Sequence, residues 1–336
     1  MFENGARYNN IGPWLKNFFG ERTAKVSVDG GFTCPNRDGT LGYGGCIFCS
    51  ELGSGDFSGA GILPQAVSAL SGPQTQSRQL FPIGKQIDIQ IGALRRKWGS
   101  FRCIAYFQNF TNTYAPVDVL KEKYEEALSH PMCSGIAIAT RPDCLGEEIV
   151  SLLSELNRQT FLWVELGLQT SDEETAVRIR RGYPLSVYDD AVSCLTAENI
   201  RVVTHLIAGL PGEDEETFLR SVRHTASGGI FGIKLQLLHI LRHTALGAQW
   251  LSQAENGGTM KENFSVRPLE KEEYIRWISD ALEQIPEEIT MHRLTGDAPK
   301  PLLLAPRWSL DKRSVLNGIN QELKRRDSFQ GIRCPR

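Results

Sequence analysis

Histidine is scarce in this chain, with six in 336 residues and none before His130. The scarcity matters because three cysteines, Cys34, Cys46 and Cys49, crowd one short segment in a C-x11-C-x2-C spacing, and the next cysteine is Cys103. A structural zinc site is normally closed by four protein ligands, and no fourth stands nearby. No apolar run approaches the length of a bilayer span, and the N-terminal Met-Phe-Glu-Asn-Gly-Ala-Arg lacks the apolar stretch of a secretory signal. A cytoplasmic protein with no membrane partner is expected. Regular spacing is missing among Cys103, Cys133, Cys144, Cys194 and Cys334. The eight cysteines therefore suit a reducing compartment better than a disulfide framework.

Three thiolates without a fourth ligand suit an iron–sulfur cluster with one open iron, since thiolates select soft metals. Gly39, Gly42, Gly44 and Gly45 let the segment fold tightly and bring N–H groups toward the cluster sulfurs. Phe48 is placed to pack over one edge. Two other readings stay open: a zinc site completed by a distant His or Cys, and buried thiols that bind nothing.

The net charge of −2 points neither toward nor away from nucleic acid, but its distribution is uneven. Residues 291–336 hold ten Lys/Arg against four Asp/Glu, a local +6 that leaves −8 on the remainder. This basic segment is either a footprint for a polyanion or a solvated helix face. Short apolar runs at Lys25–Val28, Cys103–Phe107, Gly135–Thr140, Leu162–Leu166, Arg201–Ala208 and Ile233–His239 read as strands. Amphipathic stretches at Val117–Leu128, Glu147–Leu156, Val187–Leu195 and Glu215–Val222 read as crossover helices. Such alternation predicts a parallel sheet, here a partial (βα)6 TIM-like barrel with the cysteine loop on the catalytic rim. The expected division is an N-terminal extension over 1–22, the barrel over 23–290 and the basic extension over 291–336. Ser50–Gly61 reads as a Gly/Ser-rich mobile loop, and 62–100 as two polar helical segments. Cys103, Cys133 and Cys194 read as packing residues.

The loop ending Cys46-Ile-Phe-Cys49, followed by six βα units, resembles the radical S-adenosylmethionine (SAM) superfamily. The run Cys34-Pro-Asn-Arg-Asp-Gly39 is similar to the bacterial branch related to the catalytic subunit of elongator. The resemblance implies a [4Fe–4S] cluster on Cys34, Cys46 and Cys49 whose open iron chelates SAM. It further implies reductive cleavage to a 5′-deoxyadenosyl radical, with a flavodoxin- or ferredoxin-type reductant. Gln169, and Arg181 twelve residues later, match the family pattern that holds the cofactor, and a guanidinium suits the methionyl carboxylate through two parallel hydrogen bonds. Ile207 matches the apolar residue that meets adenine, although the surrounding His205-Leu-Ile-Ala-Gly-Leu-Pro-Gly-Glu213 departs from the family motif in its His and in the place of its Glu. The acid of the usual glycine-glycine-glutamate segment is missing. Asn109, Thr111 and backbone carbonyls are therefore expected around the methionyl ammonium, with Phe48 over the cluster.

Candidates for substrate contact are Arg141, Asp143, Gln236, His239 and Asp297, each at or after a strand end. Kinship with the elongator subunit and the basic C-terminal segment point to tRNA as the partner, with the radical acting on the C5 substituent of the wobble uridine. Elongator's acetyltransferase domain is not found, so acetyl-CoA-dependent carboxymethylation is not the expected reaction. A radical enzyme acting on a small metabolite is the alternative reading, and a non-enzymatic iron–sulfur or zinc-stabilised binding module the remote one.

Overall fold

A computed structural model describes residues 2, 5–51, 53, 80–99, 101–255 and 266–335. Its strands are β1 (Thr23–Val28), β2 (Arg102–Phe107), β3 (Cys133–Thr140), β4 (Phe161–Gln169), β5 (Arg201–Ala208), β6 (Gly232–Leu237), β7 (Ile240–Leu241), β8 (Thr290–Arg293) and β9 (Leu303–Ala305). Strands β1 to β6 and then β8 form one parallel sheet in that order, while β7 and β9 pair antiparallel apart from it. All six expected strands are present, so the partial TIM-like barrel stands. Strand β8 is a seventh, too short for its alternation to show in the sequence, and it carries the sheet past residue 290. The barrel is open between β1 and β8, which do not pair.

The helices are α1 (Ile11–Phe19), α2 (Ile83–Trp98), α3 (Val117–Leu128), α4 (Glu147–Gln159), α5 (Glu173–Arg178), α6 (Leu185–Ala197), α7 (Glu215–Ala226), α8 (Ala245–Glu255), α9 (Lys271–Glu283) and α10 (Lys312–Arg325). The second polar segment expected within 62–100 is α2. The first, and nearly all of the loop expected over 50–61, lie outside the described residues. Both faces of the sheet are buried, as crossover helices require. Outward residues such as Val26, Ala105, Ile138, Val164 and Val202 pack with Leu120, Tyr124 and Leu153 from the helices. Inward residues Ile104, Tyr106, Ala137, Phe161, Trp163 and Val203 pack against Ile11 and Leu15 of α1.

Helix α1 is bounded by its own sequence. Asn10 caps it by accepting from the Gly12 N–H at 2.8 Å, and Gly20 ends it in the left-handed region at φ 73°. Its aromatic face lies under the barrel, with Trp14, Phe18 and Phe19 all against Phe161. The preceding residues join the open edge, where Met291 N donates to Asn9 O at 2.7 Å. The C-terminal tail closes the same end. Gln330 donates to Pro286 O and Ile289 O and accepts from Asn9 N. One packing expectation fails: Cys194 is exposed, because on α6 the buried stripe is Tyr188, Ala191, Val192 and Leu195. Cys103 is buried and Cys133, its partner in register, partly so.

Gly135 marks a close approach of β3 to β4. A methyl group there would lie 2.2 Å from the Phe161 carbonyl oxygen, a backbone atom that cannot swing away. Gly135→Ala should therefore lower stability by about 1–3 kcal/mol, read as an earlier urea midpoint. Gly84→Ala, with open space around it, should be neutral or gain up to about 1 kcal/mol. Equal midpoints for the two variants would show that β3 and β4 do not meet so closely.

Candidate active site

The loop after β1 carries Cys34, Cys46 and Cys49 to the C-terminal rim, where all three line one cavity of about 260 Å³. Two turns set them there. Cys34 O accepts from Arg37 N at 2.8 Å, and Cys46 O from Cys49 N at 2.9 Å. The thiols are close enough to perturb one another: a hydrogen bond with Cys49, then burial, then the charges of Cys49 and Cys34 push the Cys46 thiol up, against the pull of Arg141. Among the described residues no three His, Cys, Asp or Glu side chains gather tightly enough for a single metal ion. Three thiols on one cavity wall are the donor set that a cluster held by Cys thiolates would use.

Neighbouring side chains lock the loop. Gly45 sits at φ 79°, and a Cβ there would meet Arg37 Nε at 2.9 Å. The space belongs to the Arg37 guanidinium, which reaches the carbonyls of Cys49, Ser50 and Glu51. Asn36 Nδ2 donates to Arg180 O at 2.9 Å and Arg181 O at 3.0 Å, and lies 3.8 Å from Cys46 Sγ. Gly182, at φ 87°, keeps the turn open for it, since a Cβ would lie 2.7 Å from Asn36 Oδ1. A donor beside a thiolate stabilises its charge. Asn36 and Arg37 were missed as functional residues. Only their place inside the cysteine loop signalled them.

The wall expected to meet a cofactor is the end of β4 and what packs on it. Gln169 stands in the left-handed region at φ 67°, lines the cavity, and leaves its buried Oε1 without a partner. An orphaned acceptor costs about 1–3 kcal/mol, so its presence beside the three thiols fits a ligand donor. Phe48, Thr111 and Ile207 line the same cavity. Arg181 does too, but differently from the two-bond clamp expected. Nε donates to Tyr183 O, Nη1 to Leu168 O and Thr170 O, and Nη2 to Glu173, which leaves Nη2 one N–H. Its guanidinium also stacks on Tyr183 at 4.6 Å. Asn109 departs as well: it is buried, donates to Asp29 Oδ2 at 2.7 Å, and is not among the cavity-lining residues. Glu213, the displaced acid of the β5 motif, accepts from Thr170, and burial pushes it up to about 8.

Of the substrate candidates, Arg141, Gln236, His239 and Asp297 line the cavity, and Asp143 does not. Arg141 binds Asp143 at 2.9 and 2.6 Å and donates to Arg181 O at 2.8 Å, so the pair braces the rim. His239 meets Ser309 Oγ at 3.1 Å, and burial holds it down to about 4. Asp297 accepts from Lys312 at 2.7 Å. The basic C-terminal segment is partly neutralised from within. Arg325 and Arg326 both bind Glu322, Arg326 also binds Asp280, and Arg333 binds Glu283.

Beneath the wall lies a charged floor that sequence reasoning missed. Glu165 is fully buried and accepts from Trp163 Nε1 at 2.8 Å, from His205 Nε2 at 2.8 Å and from Lys234 Nζ, with Lys25 Nζ 3.8 Å away. Lys234 also donates to Tyr106 Oη at 2.9 Å. Burial pushes Glu165 up, but Lys234, Lys25 and His205 together hold it well below the usual carboxylate range. Burial, Lys234 and Arg293 press His205 down to about 4 against the pull of Glu165. The signal was present: a lone Glu and a lone Lys inside otherwise apolar strands are rarely buried unpaired.

Two family models match the chain: Radical SAM superfamily over residues 35–225 and Radical_SAM C-terminal domain over residues 230–325. YtqA of Bacillus subtilis is 42% identical over 325 residues, covering 97% of this chain and 92% of its own. The tRNA uridine(34) acetyltransferase of Dehalococcoides mccartyi is 27% identical over 207 residues, or 61% of this chain and 41% of that protein. In fold, the chain matches the structure of Elp3 from the archaeon Methanocaldococcus infernus with an N-terminal deletion. The TM-score is 0.63 at 17% identity, covering 92% of this chain and 64% of that one.

The floor sets an acid limit on stability. His205 and His239 titrate near 6.5 when unfolded and near 4 when folded, so between those values the unfolded chain binds more protons. The contribution of these two histidines is therefore lost as pH falls from about 6.5 toward 4, while Glu213, held at about 8 by burial, acts in the opposite sense. His205→Gln, which can still donate to Glu165, should flatten that slope in urea melts at several pH values. An unchanged slope would remove His205 from the account.

Proposed function

The chain belongs to the radical SAM superfamily, and on that premise we propose that it modifies the C5 substituent of a tRNA wobble uridine. What carries the choice of substrate is the similarity to the tRNA uridine(34) acetyltransferase, which spans 61% of this chain. Acetyl transfer is that relative's and is not carried over. The family's cofactors, a [4Fe–4S] cluster and SAM, supply when bound a 5′-deoxyadenosyl radical that abstracts hydrogen from a substrate carbon. The cluster ligands are Cys34, Cys46 and Cys49, deprotonated, with Asn36 beside Cys46 and Arg37 fixing the loop. Gln169 would offer SAM its unpartnered Oε1, Ile207 would give adenine an apolar contact, and Phe48 and Thr111 would complete the enclosure. Arg181 fixes the wall and has one N–H for the methionyl carboxylate. Gln236 and His239 face the substrate, with His239 uncharged near neutral pH and so a hydrogen-bonding group. A flavodoxin- or ferredoxin-type protein is the electron donor.

Protein reconstituted without oxygen should hold about four irons, and Cys34→Ala, Cys46→Ala or Cys49→Ala should each lose them. Iron retained in all three would refute the ligand set. Arg181→Ala should both raise the half-saturation for SAM and lower the melting temperature, because the same guanidinium ties three carbonyls together. For the substrate, a strain lacking the gene should lose one wobble-uridine modification in its tRNA nucleoside profile. Lys300→Gln with Arg313→Gln, both exposed, should flatten the salt dependence of tRNA binding by roughly 0.7–0.9 for each phosphate no longer neutralised. An unchanged nucleoside profile would overturn the uridine reading.

A further inference from the structure

The floor of the cavity holds more positive charge than its own acids answer. Lys234 and Arg293 are direct partners in register on β6 and β8, and like charges opposite one another destabilise a sheet. The row continues through His205 on β5 to Gly167 on β4, so the four positions cross the barrel at one level. That level lies two residues, about 7 Å, below Gln236 on β6. Lys234 is 2% exposed, while Arg293, beside the open edge, is partly exposed. Glu165 already answers Lys234 and Lys25, two cations on one carboxylate. Asp297 answers Lys312 at 2.7 Å and Arg293 only at 3.9 Å, again two on one. Each acid is thus shared, and burial with Lys25 and Arg293 pushes Lys234 well below the usual lysine range despite Glu165. Tyr106, His205, Lys234, Arg293 and Asp297 all line the cavity, so this surplus faces the space a substrate would enter.

We propose that the floor between Lys234 and Arg293 binds an anionic oxygen group of the substrate, a carboxylate or a phosphate. An anion there relieves the opposed pair and takes charge-assisted hydrogen bonds from both sides. The proposal rests on reading this cavity as the substrate site and not on tRNA, so either can fail while the other holds.

The test uses cluster-loaded protein, with sodium acetate and sodium phosphate as separate probes against chloride at constant ionic strength. A ligand that binds only the folded state raises the melting temperature with a saturable dependence. Wild type should show that dependence for at least one probe, and which probe acts tells carboxylate from phosphate. Arg293→Gln should raise the half-saturating concentration at least tenfold, and Arg293→Lys should restore most of it. Iron content and the far-ultraviolet spectrum report that each variant is folded. The response should persist with SAM at saturation. Loss under SAM would assign the anion to the cofactor's own carboxylate and overturn the proposal, as would a response no larger than chloride or equal in wild type and Arg293→Gln.

Discussion

A single carboxylate makes the interior of this barrel tenable. Glu165 takes hydrogen bonds from Trp163, His205 and Lys234 with Lys25 just beyond, so four elements of the fold are referred to one charge. Removing one partner of a buried pair typically costs about 3–5 kcal/mol, because the other is left uncompensated. The inner face of β4 displays the whole scheme in order. Phe161 meets α1, Trp163 stacks on that aromatic layer, Glu165 holds the charges, Gly167 leaves room, and Gln169 lines the cavity.

Above that layer, rigidity comes from backbone carbonyls gathered by a few long side chains. Asn36 and Arg141 both bind the Arg181 carbonyl, while the Arg181 guanidinium binds those of Leu168, Thr170 and Tyr183. The cysteine loop, the end of β3 and the end of β4 are thereby fastened to one turn at residues 180–182. Preorganisation of this kind places ligands by packing rather than by loop propensity, which is what a catalytic constellation needs.

The sequence made legible what depends on spacing and periodicity. The three cysteines, six strands and the parallel order all follow from patterns a few residues long. Strand β8 was hidden because Thr290–Arg293 is too short to alternate visibly, and all of it but Thr290 fell within the expected basic extension. Asn109 and Arg181 show a different limit, since the residue type was read correctly as polar but its partner is set by tertiary contact: Asp29 for one, three carbonyls for the other. The charge of residues 291–336 was legible as a sum but not as a surface, because Arg326 spends its donors on Glu322 and Asp280.

The seat of α1 sets an order of events on the ribosome. Phe161 and Phe231, against which this helix rests, follow it much later in the chain and so are made after it. Until they appear, Trp14, Phe18 and Phe19 lack the aromatic partners that finally cover them. Contacts this distant in sequence form slowly, and exposed aromatic surface in a half-made chain invites association. Synthesis of this barrel therefore passes through an interval in which the aromatic face of α1 is bare and open to the cover of a chaperone.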